Sequence, residues 1–317
     1  MPKTLTCPEH ILKTDLKNKT YIVTGGNSGI GFMTAKQLAK QGAKVILACR
    51  RFSEAEKARS SIQKSVSWAR IEMMNLDLSD LSSVRNFVKE FHLNYSELHG
   101  LINNAGVMFT PQGKTKDGFE TQFGTNHLGH YLLTELLLPT LKQSTPSRIV
   151  VLSSCYHDKA QGREGRIYLE DLNFDNRKYD AWEAYAQSKL ANLLYAKQLG
   201  KRLSGSGVTA VSVHPGWVRT NLIRGFMPLW IQNILLMPFF KLAGMIEPWE
   251  GAQTTLYCLL APEVEKYNGA YFSQKGIYRT KEATMGGWPL HSPNPNAHDE
   301  TTADKLDELS RSLVGLL

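Results

Sequence analysis

The chain has 317 residues, 42% hydrophobic and 21% charged; this excludes a disordered chain, a collagen and a coiled-coil rod, and supplies a large core. The formal net charge is +8, yet no run of five basic residues occurs, so an anionic small ligand fits better than nucleic acid. Four cysteines without a C-x-x-C pair suggest a reducing compartment, not a disulfide framework.

Strands and helices alternate along the chain. Residues 21–24 form a short β-rich run that ends in Gly25-Gly26-Asn27-Ser28-Gly29-Ile30-Gly31. A helical spacing of Ile30, Met33, Thr34, Gln37 and Leu38 follows, stopped by Gly42. Residues 44–49 are continuously apolar, as a strand covered on both faces is. The pattern then predicts a helix at 55–62 opened by Ser53 and a strand at 70–76. Next come a helix at 84–91 capped by Ser79 or Asp80, and a strand ending at 101–102 before Asn103-Asn104-Ala105-Gly106. Two long helices are expected at 118–141 and 182–203, with strands at 148–153 and 208–214. A last helix and strand are expected at 250–260 and 270–272, a Pro- and Gly-rich surface loop at 286–299 and a final helix at 302–314. This alternation predicts an α/β fold, a doubly wound parallel sheet of the Rossmann type.

The N-terminus has no apolar segment of the signal-peptide kind. The most apolar stretch, 226–240, is shorter than the ~20 residues a spanning helix needs and carries Pro228 and Pro238. A cytoplasmic location, or the cytoplasmic face of an intracellular membrane, is the expectation. His127 and His130 share a helix face without an obvious third ligand, so no metal is expected. His157 and His214 read as packing or hydrogen-bonding residues.

The glycine loop between a strand and a helix is the strongest signal. Glycines let the backbone turn tightly and approach a pyrophosphate, and the helix N-terminus offers free N–H groups to that anion. Gly25, Asn27, Ser28, Gly29, Ile30 and Gly31 are therefore candidate cofactor residues. At the end of the second strand, where an NAD enzyme carries an acidic residue, stand Arg50 and Arg51. A guanidinium binds a ribose 2′-phosphate that a carboxylate repels, so NADP(H) is the expected cofactor. Tyr185 and Lys189 lie one turn apart on a helix face. An ammonium beside a phenol, together with the positive charge of an oxidised nicotinamide, favours the phenolate, so Tyr185 is expected to have a lowered pKa and to exchange a proton with an alcohol or carbonyl oxygen.

The T-G-x-x-x-G-x-G spacing of Thr24–Gly31, with Tyr185-Ala186-Gln187-Ser188-Lys189, resembles the short-chain dehydrogenase/reductase family. The resemblance implies catalytic roles for Ser154, Asn126, Tyr185 and Lys189. Ser154 would bind the substrate oxygen, and Asn126 would kink its helix and hold a water linked to Lys189. It further implies cofactor contacts from Asp77 and Leu78, from Asn104, Ala105 and Gly106, from Tyr185 and Lys189 themselves, and from Pro215, Gly216, Val218 and Thr220. The domain would span 17–285 with a substrate lid at 221–248, leaving a C-terminal tail at 286–317.

The long connection from Ser154 to Tyr185 and the run Asn126-His127-Leu128-Gly129-His130 are similar to the retinol dehydrogenase branch. The segments 101–109 and 116–123 are also similar to polyprenol dehydrogenase. A lipophilic alcohol, aldehyde or ketone is the implied substrate. The run 226–240 would cover that substrate, meet lipid at a membrane surface, or be core. A homodimer through the two long helices is a further family expectation. Protochlorophyllide reductase shares the N-H-L-G-H run, but Ala191 stands where that enzyme is expected to carry cysteine. A catalytically idle nucleotide-binding scaffold is the reading from a different class.

Overall fold

Short runs buried at nearly every position build the central strands of the protein. The computed structural model describes residues 4–160, 162–218 and 244–317. Thr220, the apolar run 226–240 and the expected lid up to residue 243 lie outside them. Strands β1 (Thr20–Thr24), β2 (Lys44–Cys49), β3 (Arg70–Asn75), β4 (Gly100–Asn103), β5 (Ser147–Leu152), β8 (Val208–His214) and β9 (Tyr271–Ser273) form one sheet. Its order is β3-β2-β1-β4-β5-β8-β9, and every pairing is parallel. A separate two-stranded hairpin, β6 (Lys159–Ala160) and β7 (Arg163–Glu164), sits in the long connection after β5. The alternation gave no sign of it.

Successive strand residues enter opposite cores. Ile22, Leu101, Ile149 and Val151 join one cluster with α3 (Leu81–Asn94), α5 (Gly129–Gln143) and α6 (Ala181–Arg202). Val23, Ile102, Val150 and Leu152 join the other, with α1 (Gly29–Lys40), α2 (Phe52–Ser65) and α7 (Pro248–Leu260). Each fully buried leucine or phenylalanine contributes roughly 1.5–3 kcal/mol to this core. The chain order reverses between β1 and β4, and a crevice opens at their carboxyl ends, where doubly wound sheets bind ligands.

Several boundaries differ from the expected ones for identifiable reasons. Helix α2 starts at Phe52, ahead of Ser53, with Arg51 as its N-cap. The long helix expected from 118 begins instead with α4 (Thr121–Phe123), because the Glu120 carboxylate accepts from the Gln122 and Phe123 amides at 2.9 and 2.6 Å. A π turn over Gly124–Leu128 then separates α4 from α5.

The segment 286–299 is not simply a surface loop. Ser292 and Asn294 are buried in it and bonded to the connection after β5. The short helix α8 (Lys281–Thr284) precedes it, and α9 (Glu300–Leu313) follows. Helix α9 is an integral layer: Ala303 and Leu306 enter the first core cluster. It lies across α5 and α6, where the Tyr131 hydroxyl donates to Asp307 and Glu135 accepts from Arg202 and Arg311. That is part of the helix pair the family resemblance offers to a partner copy. No helix among the described residues is long and apolar enough to cross a membrane.

Candidate active site

The strand-to-helix turn after β1 is shaped by its glycines. Gly25 and Gly29 have φ of +63° and +57°, the left-handed region that L side chains disfavour. A carbon added at Gly31 would lie 2.7 Å from the Gly25 carbonyl oxygen and 2.5 Å from the Asn104 amide nitrogen. Ser28 caps α1 without a side-chain hydrogen bond, so its hydroxyl does not occupy the first-turn N–H groups. These are the features an anionic pyrophosphate fits: a side-chain-free cradle and a helix N-terminus open to it.

Thr24 ties this turn to the one after β4. Its hydroxyl oxygen accepts from the Asn104 and Ala105 amides, both at 2.9 Å, and the Asn104 side chain donates to the Thr24 carbonyl at 2.8 Å. His130 lies behind it. Nδ1 of His130 is 3.0 Å from the Asn126 carbonyl, which only accepts, so Nδ1 carries the proton. Nε2, 2.9 Å from the Thr24 oxygen, then accepts from that hydroxyl. His127 is held the same way, between Asn192 at 3.3 Å and Ser310 at 2.9 Å. The two histidines that share a helix face thus spend their nitrogens on separate internal networks.

Helix α6 carries the Tyr185 and Lys189 pair, and Asp180 caps it by accepting from the Trp182 and Glu183 amides. Both side chains are buried and face the crevice, with the Lys189 ammonium 5.6 Å from the Tyr185 ring centre. The ammonium donates to the Leu152 carbonyl at 3.1 Å, and burial lowers its pKa to about 8. Burial also pushes the Tyr185 phenol above its ordinary value, while a hydrogen bond with Ser154 pulls the other way. Without a nicotinamide in the site, desolvation is the largest influence on the Tyr185 phenol.

Asn126 sits in the π turn and staples three segments. Its Oδ1 accepts from the Val107 amide at 2.8 Å, and its Nδ2 donates to the Val107 carbonyl and the Ser188 hydroxyl at 2.9 and 3.0 Å. Its backbone carbonyl accepts from His130. Ser154 follows β5, and its hydroxyl accepts from the Tyr156 amide at 3.3 Å.

These parts meet around a cavity of about 410 Å³. Gly25, Asn27, Ser28, Gly29, Ile30 and Arg51 line one end. Asn104, Ala105, Gly106, Tyr185, Lys189 and Pro215 line the rest. The other described candidates, Ser154 and Asn126 among them, stand outside the lining. Gly31 lies under the turn, packed against Gly25 and Asn104. Arg50 is largely exposed and 4.0 Å from Asp77, whose carboxylate accepts from the Ser79 amide and hydroxyl. Leu78 is buried, and its carbonyl lies so near Gly129 that an added carbon there would be 2.3 Å away. Gly216, at φ +95°, backs onto Ile246 and Gln274, and Val218 is buried over Gly251.

Val107, Met108, Thr110 and Leu152 also line the cavity without having been expected there, and so does Ser153, the first serine of the strand-end pair of which Ser154 was preferred. The first three directly follow Asn103–Gly106, and adjacency was their only signal. Ser153 turns its hydroxyl to the Lys189 carbonyl at 2.7 Å, which no motif marks.

The short chain dehydrogenase family matches residues 19–168. Bovine (Bos taurus) retinol dehydrogenase 12 is 42% identical over 308 residues, covering 96% of this chain and 90% of that protein. Mouse (Mus musculus) retinol dehydrogenase 11 is 48% identical over 302 residues, covering 95% and 88%. A solved structure of an uncharacterized protein from Mycobacterium paratuberculosis aligns with a TM-score of 0.72 at 36% identity, covering 95% of each chain. The chain therefore belongs to the short-chain dehydrogenase/reductase family of oxidoreductases.

Proposed function

We propose that the protein is an NADP(H)-dependent oxidoreductase that interconverts a lipophilic alcohol with its aldehyde or ketone. The observation that carries this reading is the buried Tyr185, one turn from Lys189, on the wall of a cavity whose far end is the glycine turn. A bound nicotinamide supplies or takes the hydride and, when oxidised, adds a positive charge to the site. Tyr185 then gives or takes the proton at the substrate oxygen, and Ser154 orients that oxygen by hydrogen bond. Lys189, anchored on the Leu152 carbonyl, brings a positive charge that favours the phenolate. Asn126 holds the Val107 loop against α6, and so shapes the cavity wall.

The glycine turn from Gly25 to Gly31 would hold the pyrophosphate, and Arg51, on the cavity lining, would bind the 2′-phosphate. Arg50 is a weaker candidate for that phosphate because it leans towards Asp77. Asp77 and Leu78 remain candidates for the adenine end; Asn104, Ala105 and Gly106 for the ribose; Pro215, Gly216, Val218 and Thr220 for the nicotinamide. The apolar run 226–240 and the names of the similar relatives support a lipophilic, retinoid- or polyprenoid-like substrate and contact with a membrane surface.

The test is NADPH consumption by the purified chain over retinal, a polyprenal, a steroid ketone and simple carbonyls. Turnover of a lipophilic carbonyl is expected, and Tyr185→Phe should lower it by roughly 10²–10⁴-fold with NADPH still bound. NADPH binding without any turnover would point to the idle scaffold instead. Tighter binding of NADH than NADPH would overturn the reading of Arg51.

A further inference from the structure

The buried residues of the C-terminal segment make a directional chain that ends on Ser154. His157 is fully buried at the end of the short 3-10 turn Cys155–His157 that follows β5. Its Nδ1 lies 2.6 Å from the Ser154 carbonyl oxygen, and its Nε2 lies 2.7 Å from the Ser292 hydroxyl. A carbonyl only accepts, so Nδ1 carries the proton and Nε2 presents its lone pair to the Ser292 O–H. The Ser292 oxygen accepts in turn from the Asn294 amide at 3.2 Å. The Asn294 side chain closes the ring by donating to the His157 carbonyl at 2.5 Å and the Gly165 carbonyl at 2.9 Å. The Tyr271 ring meets the imidazole edge-on, at 4.9 Å between centres. Burial lowers the His157 pKa to about 4, so the ring is neutral near pH 7, as one donor and one acceptor require.

We propose that His157 and Ser292 are positioning residues that hold the Ser154 backbone, and hence its hydroxyl, at the angle from which it reaches Tyr185. A segment near the C-terminus thereby sets the geometry of a residue more than a hundred positions earlier. The proposal deepens the functional reading above and rests on it for the role of Ser154. Small displacements of an orienting group are costly: an error of about 1 Å can lower a rate ~100-fold.

The experiment compares Ser292→Ala and Ser292→Thr with the wild-type chain, using NADPH and retinal. Ser292→Ala is expected to lower kcat roughly 10- to 100-fold, with the dissociation constant of NADPH unchanged. Ser292→Thr, which keeps the hydroxyl, restores most of the rate. Ser292→Cys, near in size but a weaker donor, gives the same reading where the alanine variant does not fold. Hydrogen exchange supplies a readout free of activity. The Tyr156 and His157 amides, which bond Ser154 at 3.3 and 3.0 Å, should exchange faster in Ser292→Ala. Exchange in the glycine turn should be unchanged. An unaltered kcat, unaltered exchange at these amides, or a loss of NADPH affinity in step with kcat each overturns the proposal. If the wild-type chain turns over no carbonyl, the functional reading falls, and the exchange difference alone decides whether the clamp exists.

Discussion

The two ends of the cavity are built from different materials. The end formed by the turns after β1 and β4 is a backbone device: positive-φ glycines, free helix N–H groups and a threonine hydroxyl holding two amides. The end formed by α6 and the turn after β5 is a side-chain device. There a buried phenol and a buried ammonium lie beside a serine whose backbone carbonyl is bonded by His157, itself tied to Ser292 far away in the chain. The first end should fail when an atom is added, and the second when a polar atom is removed.

Ser154→Ala is the largest effect expected in sharpening this contrast. Loss of an orienting hydroxyl should lower kcat roughly 10²–10³-fold while NADPH titrations stay as in the wild type; equal loss in both would merge the two ends into one. Gly31→Val tests the other end. Its added carbons meet the Gly25 carbonyl and Asn104, so overpacking of about 1–3 kcal/mol is expected, together with weakened NADPH binding. Normal affinity in this variant would remove the backbone account of the cradle.

Arg51→Ala should reduce the preference for NADPH over NADH by about tenfold, the weight of one charge-assisted hydrogen bond. Arg50→Ala should do less, because that side chain is exposed and beside Asp77. The reverse ranking, from paired NADPH and NADH titrations, would reassign the phosphate contact.

The smallest effect concerns pH. Lys189 has its folded pKa lowered from 10.5 to about 8. Between those values the unfolded chain binds the extra proton, so the wild-type chain gains stability as pH rises. The cost of burying the charge is fully present below pH 8. Lys189→Met should therefore be most stabilised relative to wild type there, and its advantage should shrink towards pH 10.5. Denaturant curves across this range measure the difference, and a flat one would mean that the ammonium is not desolvated.

Legibility in the sequence follows the same division. Thr24–Gly31 and Asn103–Gly106 are contiguous, and each follows a strand, so their place at the crevice could be read from local pattern. Tyr185 and Lys189 were legible because helical spacing puts them on one face. Arg50 and Arg51 could not be ranked from sequence, since which one reaches the cavity depends on how β2 passes into α2. The burial of Tyr185 was not legible, because spacing reports the neighbouring charge but not the depth at which the phenol lies. The role of 286–299 was also hidden. Its prolines and glycines mark turns, but whether a turn meets solvent or another segment is a long-range matter.

By itself the sequence determined the strand and helix alternation, the parallel sheet, the glycine turn and the placing of Tyr185 and Lys189 on one helix face, because each rests on interactions within a few residues or on a fixed repeat. Only the tertiary structure decided which arginine faces the cavity, how both histidines of the π-turn helix spend their nitrogens, and that Ser292 and Asn294 close on Ser154 through His157. Those outcomes depend on burial and on hydrogen bonds between segments far apart in the chain, and no local pattern encodes the distance between them.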